Sequence, residues 1–472
     1  MTRAARPDPG LPGTGAPASR PGGAAGPDDA RMIGPAARLR GEPRLPGDKS
    51  VSHRALLLAA LAEGESRITG AGDGRDVRAT AALVAALGAQ VERSPAEGPT
   101  LGIDYRVVSP GVDGLAEPDG VVDCRNSGTT LRLGAGLLAG LAAFAVLDGD
   151  DSLRRRPVAR IIEPLRSMGA VLHARRRDSL PPLAVIGRPP LRAIDVTTPV
   201  PSAQVKSAIL LAGLRAEGRT TVHEAVVTRD HTERMLRARG VAVIREPDGP
   251  AGGGAAWSLE GGGRVRATDE RVPGDPSAAA FWLVAGAAHP DARLRLRDVG
   301  LNPTRRAIVD LLRAMGARVD ERDLRPDDGV GEPLADLEVA SSELRAIELG
   351  PADVAAAIDE IPVLCLAATQ AAGTTLIRGA GELRHKESDR LAGIAAGLTA
   401  LGGRVAVDGD DLRISGPTPL RGAVVATNDD HRLAMTFSVA GLIARGDTTV
   451  VGAESAAVSY PGFYAELERV RA

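Results

Sequence analysis

The chain has 472 residues, a formal net charge of −2 and a pI near 6.4, a length that suits two domains of roughly 200 residues each and a balance that offers no global attraction to nucleic acid or anionic membrane. Four Phe, three Tyr and two Trp are too few to build the stacking platforms of a single-strand nucleic-acid groove. No uninterrupted apolar stretch reaches the ~18 residues of a membrane helix, and Cys124 and Cys365 stand in separate apolar runs without CxxC or metal-ligand spacing, so two free thiols in a reducing cytoplasm are expected.

Residues 1–40 are rich in Pro, Gly and Ala and lack the apolar core of a signal peptide, which predicts a disordered tail. Beyond it a turn and a β-branched strand recur in GESRITG (64–70), GLAAFAVLDG (140–149), GRTTVHE (218–224), ARLRLRDVG (292–300), GTTLIRG (373–379) and GDTTVVG (446–452). The starts lie 73 to 81 residues apart. Ahead of each strand an apolar helix begins near Ser50, Ser127, Ser202, Ser277, Asp359 or Asp429, all residues of capping type. A second helix, closed by Gly before another strand, follows in ALGAQVE, SMGAVLH, ARGVAVI, AMGARVD and ALGGRVAV. The C-terminus ends in one more helical pattern, FYAELERVRA.

This is a six-unit chain. LPGDKSVSHRALLLAALA (45–62) echoes VPGDPSAAAFWLVAGAA (272–288) at a separation of 227 residues, or three units. Two domains of three units follow, meeting again near residue 271, with the PGD turns at the crossings. Helices that start alike can aim their N-termini one way, and free N–H groups with the helix dipole favour anions there. The active site is therefore expected in a cleft between the halves, open without ligand and closing on it.

Of 58 basic residues only Lys49, Lys206 and Lys386 are lysines. Each is followed within two residues by Ser, and each marks a candidate anion site where a compact ammonium suits better than Arg's planar fork. Around Lys49, GDKSVSHR (47–54) gathers an ammonium, two hydroxyls and a guanidinium at a helix start, while Asp48 breaks the pattern of a nucleotide-binding P-loop. RNSGTTLR (125–132) lets backbone N–H groups approach an anion between two Arg. Ser202 and Lys206 share a helix face at four-residue spacing. Asp359 suits a helix cap and a catalytic base equally, and in HKESDR Glu387 and Lys386 can tune each other's proton affinity. Asp430-His431-Arg432 adds a guanidinium at another helix start. No HExxH, paired His or Cys cluster points to a metal, and no GxSxG to a serine nucleophile, which leaves metal-free chemistry on anions.

Taken in order, LPGDKSVSHR, NSGTTLRL, RRRPVARIIEPLRSMGA, PSAQVKSAILLAGL, TRDHTERML, LRHKESDR and DDHRLAM resemble the 5-enolpyruvylshikimate-3-phosphate synthase family from about residue 41 to the end. The resemblance implies a two-domain inverted α/β barrel-like fold of six βαβαββ-type repeats, three per domain, with the first strand placed in the C-terminal half, so that the domains span 48–270 and 41–47 with 271–472. It implies transfer of the enolpyruvyl group of phosphoenolpyruvate to the 5-hydroxyl of shikimate 3-phosphate, without cofactor or metal, by a cytoplasmic monomer with small-molecule partners only. Lys49, Ser50, Arg54, Ser202, Ala203, Gln204, Arg229, Asp359 and Lys386 would then hold shikimate 3-phosphate, Ala203 through its backbone alone. Lys49, Asn126, Gly128, Arg156, Gln204, Glu387, Arg390 and Arg432 would hold phosphoenolpyruvate. Asp359 would take the hydroxyl proton and Glu387 would serve proton transfer at the methylene carbon, with Lys49 and Lys386 beside the chemistry.

Two residues depart from the family pattern: Val458 stands where some relatives carry a lysine, and Arg125 where a small residue is common. Gly128 in place of Ala implies sensitivity to glyphosate. Two alternatives stay open: an enolpyruvyl transferase acting on UDP-N-acetylglucosamine, which normally carries a reactive loop cysteine, and a non-catalytic anion-binding protein on the same scaffold.

Overall fold

A computed structural model describes residues 29–471 except 99, 199, 249–252 and 326. The six predicted inner helices are Lys49–Leu61, Gly128–Ala139, Ala203–Gly213, Pro276–Ala288, Ile361–Gln370 and His431–Ile443. Five are capped by a side chain: Ser127 and Ser202 as expected, and Asp48, Asp275 and Asp430 in place of the expected Ser50, Ser277 and Asp429, each accepting a first-turn N–H. They lack the polar stripe of a surface helix because they run through the middle of each half. Pro276 to Ala287 is buried without a break.

Each inner helix serves one small sheet in which a short parallel strand pairs with the first strand of an antiparallel set. In the second unit the order is Val122–Asp123, Phe144–Asp148, Leu180–Ile186, Val171–Ala174. The first and fourth units exchange their short strands. Glu270–Arg271, which leads into the second PGD turn, pairs with Ile68 and Thr69 of the first sheet, whereas Leu39–Gly41, which leads into the first, pairs with Ala292–Leu294 of the fourth. The two turns meet where these segments cross: Asp48 N–H donates to Pro273 O at 2.7 Å and Asp275 N–H to Pro46 O at 2.9 Å. Two separate apolar cores result, one from Val51 to Val272 and one holding Leu39 and Leu45 with residues 278–470.

The expected tail is shorter than residue 40. Ala30–Ile33 forms an antiparallel strand against Thr448–Val451, because the sixth unit ends in the helix Phe463–Val470 and has no hairpin of its own to finish its sheet. Ile33 and Leu39 are fully buried. The rest of the expected tail, 1–28, lies outside the described residues. Among the described residues the sheets stay open and no closed barrel forms, and no helix is long and apolar enough to cross a membrane.

Gly47 is required at the crossing, since a Cβ there would meet Gly70 O at 2.0 Å and Gly72 N at 2.8 Å, all backbone. At Gly274 the nearest contacts would be 3.1 Å or longer. Gly47→Ala should destabilise by about 2 kcal/mol or more through overpacking, and Gly274→Ala by clearly less. Denaturant midpoints of the two variants check the order.

Candidate active site

The halves enclose a cleft of about 1190 Å³. One residue from each helix start lines it: Ser50, Gly128, Ser202, Ser277, Asp359 and Arg432. The wall carries twelve Lys and Arg against seven Asp and Glu, a surplus of five positive charges in a chain whose net charge is −2. A cleft of this kind attracts and holds polyanions.

The fifth helix brings Asp359 to the cleft. It begins after Glu360, with Pro362 in its first turn and no side-chain cap, so Asp359 is free of capping and its carboxylate turns into the cleft. Arg229, from the other half, donates to Asp359 Oδ2 at 2.7 Å, and Arg390 Nη1 lies 3.6 Å from Oδ1. These cations, with Lys386 and Arg432, outweigh burial and hold Asp359 well below the usual carboxylate range. Glu387 sits between Arg390 at 2.5 Å and Arg156 at 3.7 Å. Its pKa is likewise lowered by their charge. His431 is the opposite case: burial drops its pKa to about 4 and leaves the imidazole neutral beside Glu387.

On the N-terminal side Lys49 Nζ meets Asp76 Oδ2 at 3.0 Å. Arg156 donates to Asn126 Oδ1 at 2.5 Å, and Asn126 in turn donates to Asp150 at 2.8 Å. Gln204 accepts from Arg132 Nη1 at 2.6 Å and donates to Thr129 Oγ1 at 3.0 Å. Lys49, Ser50, Gly128, Arg156, Ser202, Ala203, Gln204, Arg229, Asp359, Lys386, Glu387, Arg390 and Arg432 all reach the cleft wall. Arg54 and Asn126 stand behind it. Arg54 spends its guanidinium on Thr232 Oγ1 at 2.7 Å, Ser50 O at 2.9 Å and Ser207 Oγ at 3.0 Å, and burial lowers its pKa only to about 10, which leaves it charged.

The pairing of Ser202 with Lys206 as an anion grip does not hold. Lys206 Nζ is fully buried between Glu224 at 2.8 Å and Glu233 at 2.9 Å, over the ring of Trp257. Its helix turns it away from the cleft toward the strand and helix that flank Arg229. Asp76 and the imidazole of His431 are cleft groups that sequence reasoning did not single out. Asp76 is an ordinary acidic residue in the first turn of the helix Arg75–Ala86, and only the fold carries it to Lys49. Among the described residues no group of three or more His, Cys, Asp and Glu is arranged to hold a metal ion.

Residues 33–467 match the family described as EPSP synthase (3-phosphoshikimate 1-carboxyvinyltransferase). The chain belongs to the EPSP synthase family. It is 51% identical over 440 residues to the 3-phosphoshikimate 1-carboxyvinyltransferase of Gloeobacter violaceus, covering 93% of this chain and 98% of the relative. To that of a Synechococcus strain it is 48% identical over 443 residues, covering 94% and 97%. The EPSP synthase of Acinetobacter baumannii superposes with a TM-score of 0.82 at 39% identity, covering 94% of this chain and 98% of that one. The enolpyruvyl transferase NikO from Streptomyces tendae, at 22% identity and a TM-score of 0.73 with 93% and 96% covered, shares the fold. As an EPSP synthase the chain is a transferase of the shikimate pathway, moving the enolpyruvyl group of phosphoenolpyruvate to shikimate 3-phosphate on the way to chorismate and the aromatic amino acids.

In this EPSP synthase Lys206 is structural. Lys206→Met should cost about 3–5 kcal/mol, the loss expected when one partner of a buried ion pair is removed. Adding Glu224→Gln and Glu233→Gln should restore part of it. Urea unfolding followed through Trp257 fluorescence checks both.

Proposed function

We propose that the cleft performs enolpyruvyl transfer with Asp359 as base and Glu387 as proton carrier, in a cytoplasmic monomer. The observation that carries this reading is the surplus of five positive charges at the wall. Shikimate 3-phosphate and phosphoenolpyruvate each bring a phosphate of roughly −1.5 to −2 and a carboxylate, together about five to six negative charges, so the two substrates neutralise the cleft where one would not.

Asp359, ionised at neutral pH, accepts the proton of the 5-hydroxyl, and the oxygen adds to the substituted carbon of phosphoenolpyruvate. Glu387 delivers a proton to the methylene carbon. For this it must first gain one, and the bound anions supply the cause: by neutralising Arg156 and Arg390 they remove the charge that holds Glu387 low. The resulting tetrahedral adduct is anionic, and the fixed guanidinium groups stabilise it without reorganising. Glu387 then takes a methyl proton back as the carbon–oxygen bond to phosphate breaks, and the hydroxyl proton held by Asp359 is given up to the departing phosphate, which leaves as hydrogen phosphate.

Gly128 supports the expected sensitivity to glyphosate, since the space beside Arg132 and Arg156 carries no methyl group. The cysteines weigh against transfer to UDP-N-acetylglucosamine. Cys124 and Cys365 are fully buried, and burial alone pushes the Cys365 thiol up to about 12, so neither offers a reactive loop thiolate.

Phosphate release with both acceptors, and product mass, tests the reading. Turnover is expected with shikimate 3-phosphate and none with UDP-N-acetylglucosamine. Asp359→Asn and Glu387→Gln should each lower kcat by about 10²–10⁴-fold, with shikimate 3-phosphate still bound. Binding without turnover by the unaltered protein would instead favour an anion-binding role.

A further inference from the structure

The guanidinium groups of the cleft fall into two kinds. Arg229, Arg390, Arg305 and Arg234 each have a carboxylate at 3.2 Å or closer. Arg132, Arg160, Arg237, Arg245 and Arg432 have none within 4.0 Å among the described residues, and of these Arg132 and Arg160 are neighbours. Arg132 is held by neutral oxygens, Gln204 Oε1 at 2.6 Å and Pro157 O at 3.2 Å. Arg160, the second residue of the helix Ala159–Ser167, lines the cleft with a buried Nε that has no hydrogen-bond partner.

These two stand beside Arg156, whose nearest carboxylate is Glu387 at 3.7 Å. A Cβ on Gly128 would lie 2.6 Å from Arg132 Nη1 and 3.6 Å from Arg156 Nη1, so both tips converge on the start of the Gly128–Ala139 helix. Like-charge repulsion from Arg160 and Arg156 adds to burial in bringing the Arg132 pKa down to about 9. The carboxylate whose charge bears on Arg160 is Glu382, on the opposite half. Three neighbouring cations whose counter-charges, Glu387 and Glu382, both come from across the cleft are costly unless an anion joins them.

We infer that Arg160 is a substrate-binding residue that grips the phosphoryl end of phosphoenolpyruvate together with Arg132 and Arg156. This rests on the assignment of substrates above. The choice of end follows from charge. In the C-terminal half Arg390 already faces Asp430 at 2.8 Å and Glu387 at 2.5 Å, so Arg390 with Arg432 has less uncompensated charge to offer and suits the single carboxylate. The phosphoryl group carries more charge and goes to the cluster with the larger deficit. It departs from there as inorganic phosphate, with its charge still matched.

Arg160→Gln and Arg160→Lys test this. For Arg160→Gln the KM for phosphoenolpyruvate should rise about tenfold or more, the scale of one lost charge-assisted hydrogen bond. Inorganic phosphate should weaken equally as a competitor of phosphoenolpyruvate. The KM for shikimate 3-phosphate and the Tm should stay close to wild type, since Arg160 Nε bonds to nothing in the protein, and Arg160→Lys should recover part of the loss. Unchanged phosphoenolpyruvate KM and phosphate inhibition would overturn the inference, as would equal losses for both substrates with a lowered Tm. Calorimetric titration with inorganic phosphate, wild type against Arg160→Gln, reads the subsite even if turnover fails, so failure of the substrate assignment and failure of the subsite remain distinguishable.

Discussion

A helix N-terminus placed against other helix N-termini is unfavourable unless negative charge fills the space between them, and this chain brings six such ends to one cleft. The repeat forces the arrangement. Each unit starts its inner helix on the same side of its sheet, so three N-termini gather in each half and the halves face one another. The wall adds twelve Lys and Arg against seven Asp and Glu, and the positive surplus is concentrated in a molecule that is slightly acidic as a whole.

The same surplus keeps Asp359 and Glu387 ionised. Each is tied to an arginine of the other half, so their proton affinity depends on how closely the halves approach. In the proposed reaction a substrate that competes for Arg156 or Arg390 raises the basicity of Glu387. The crossing supports this coupling. The exchanged strands Leu39–Gly41 and Glu270–Arg271 anchor each half to the segment leading into the opposite one, and the PGD turns hydrogen-bond where they meet. Arg305 lies 3.2 Å from Asp275 and 3.8 Å from Asp48, so one guanidinium serves both turns.

The repeated units, the inner helix starts and most cleft residues were legible in the sequence because each rests on local chemistry: a cap, a turn, a β-branched run. What was not legible depends on distant partners. Lys206 has the same local context as Lys49, a Ser just beyond it near a helix start, yet Glu224 and Glu233 claim it through sheet and helix packing. Asp359 was ambiguous between cap and base until Pro362 set the helix start two residues later. Ala30–Ile33 is four residues of weak signal after a Pro- and Gly-rich stretch, and only the unfinished sixth sheet, more than 400 residues away, gives it a place. Arg160 was lost among neighbouring arginines, since what distinguishes it is the absence of a partner.

Anions bound in the cleft should draw the halves together beyond what contacts such as Arg229 with Asp359 achieve. Small-angle scattering with shikimate 3-phosphate and inorganic phosphate, a pair chosen to fill both proposed anion sites without turnover, measures this. The radius of gyration should fall when both are added and stay unchanged with sodium chloride of equal ionic strength. An identical radius with and without the two anions would show that the charge of the cleft does not govern how the halves meet.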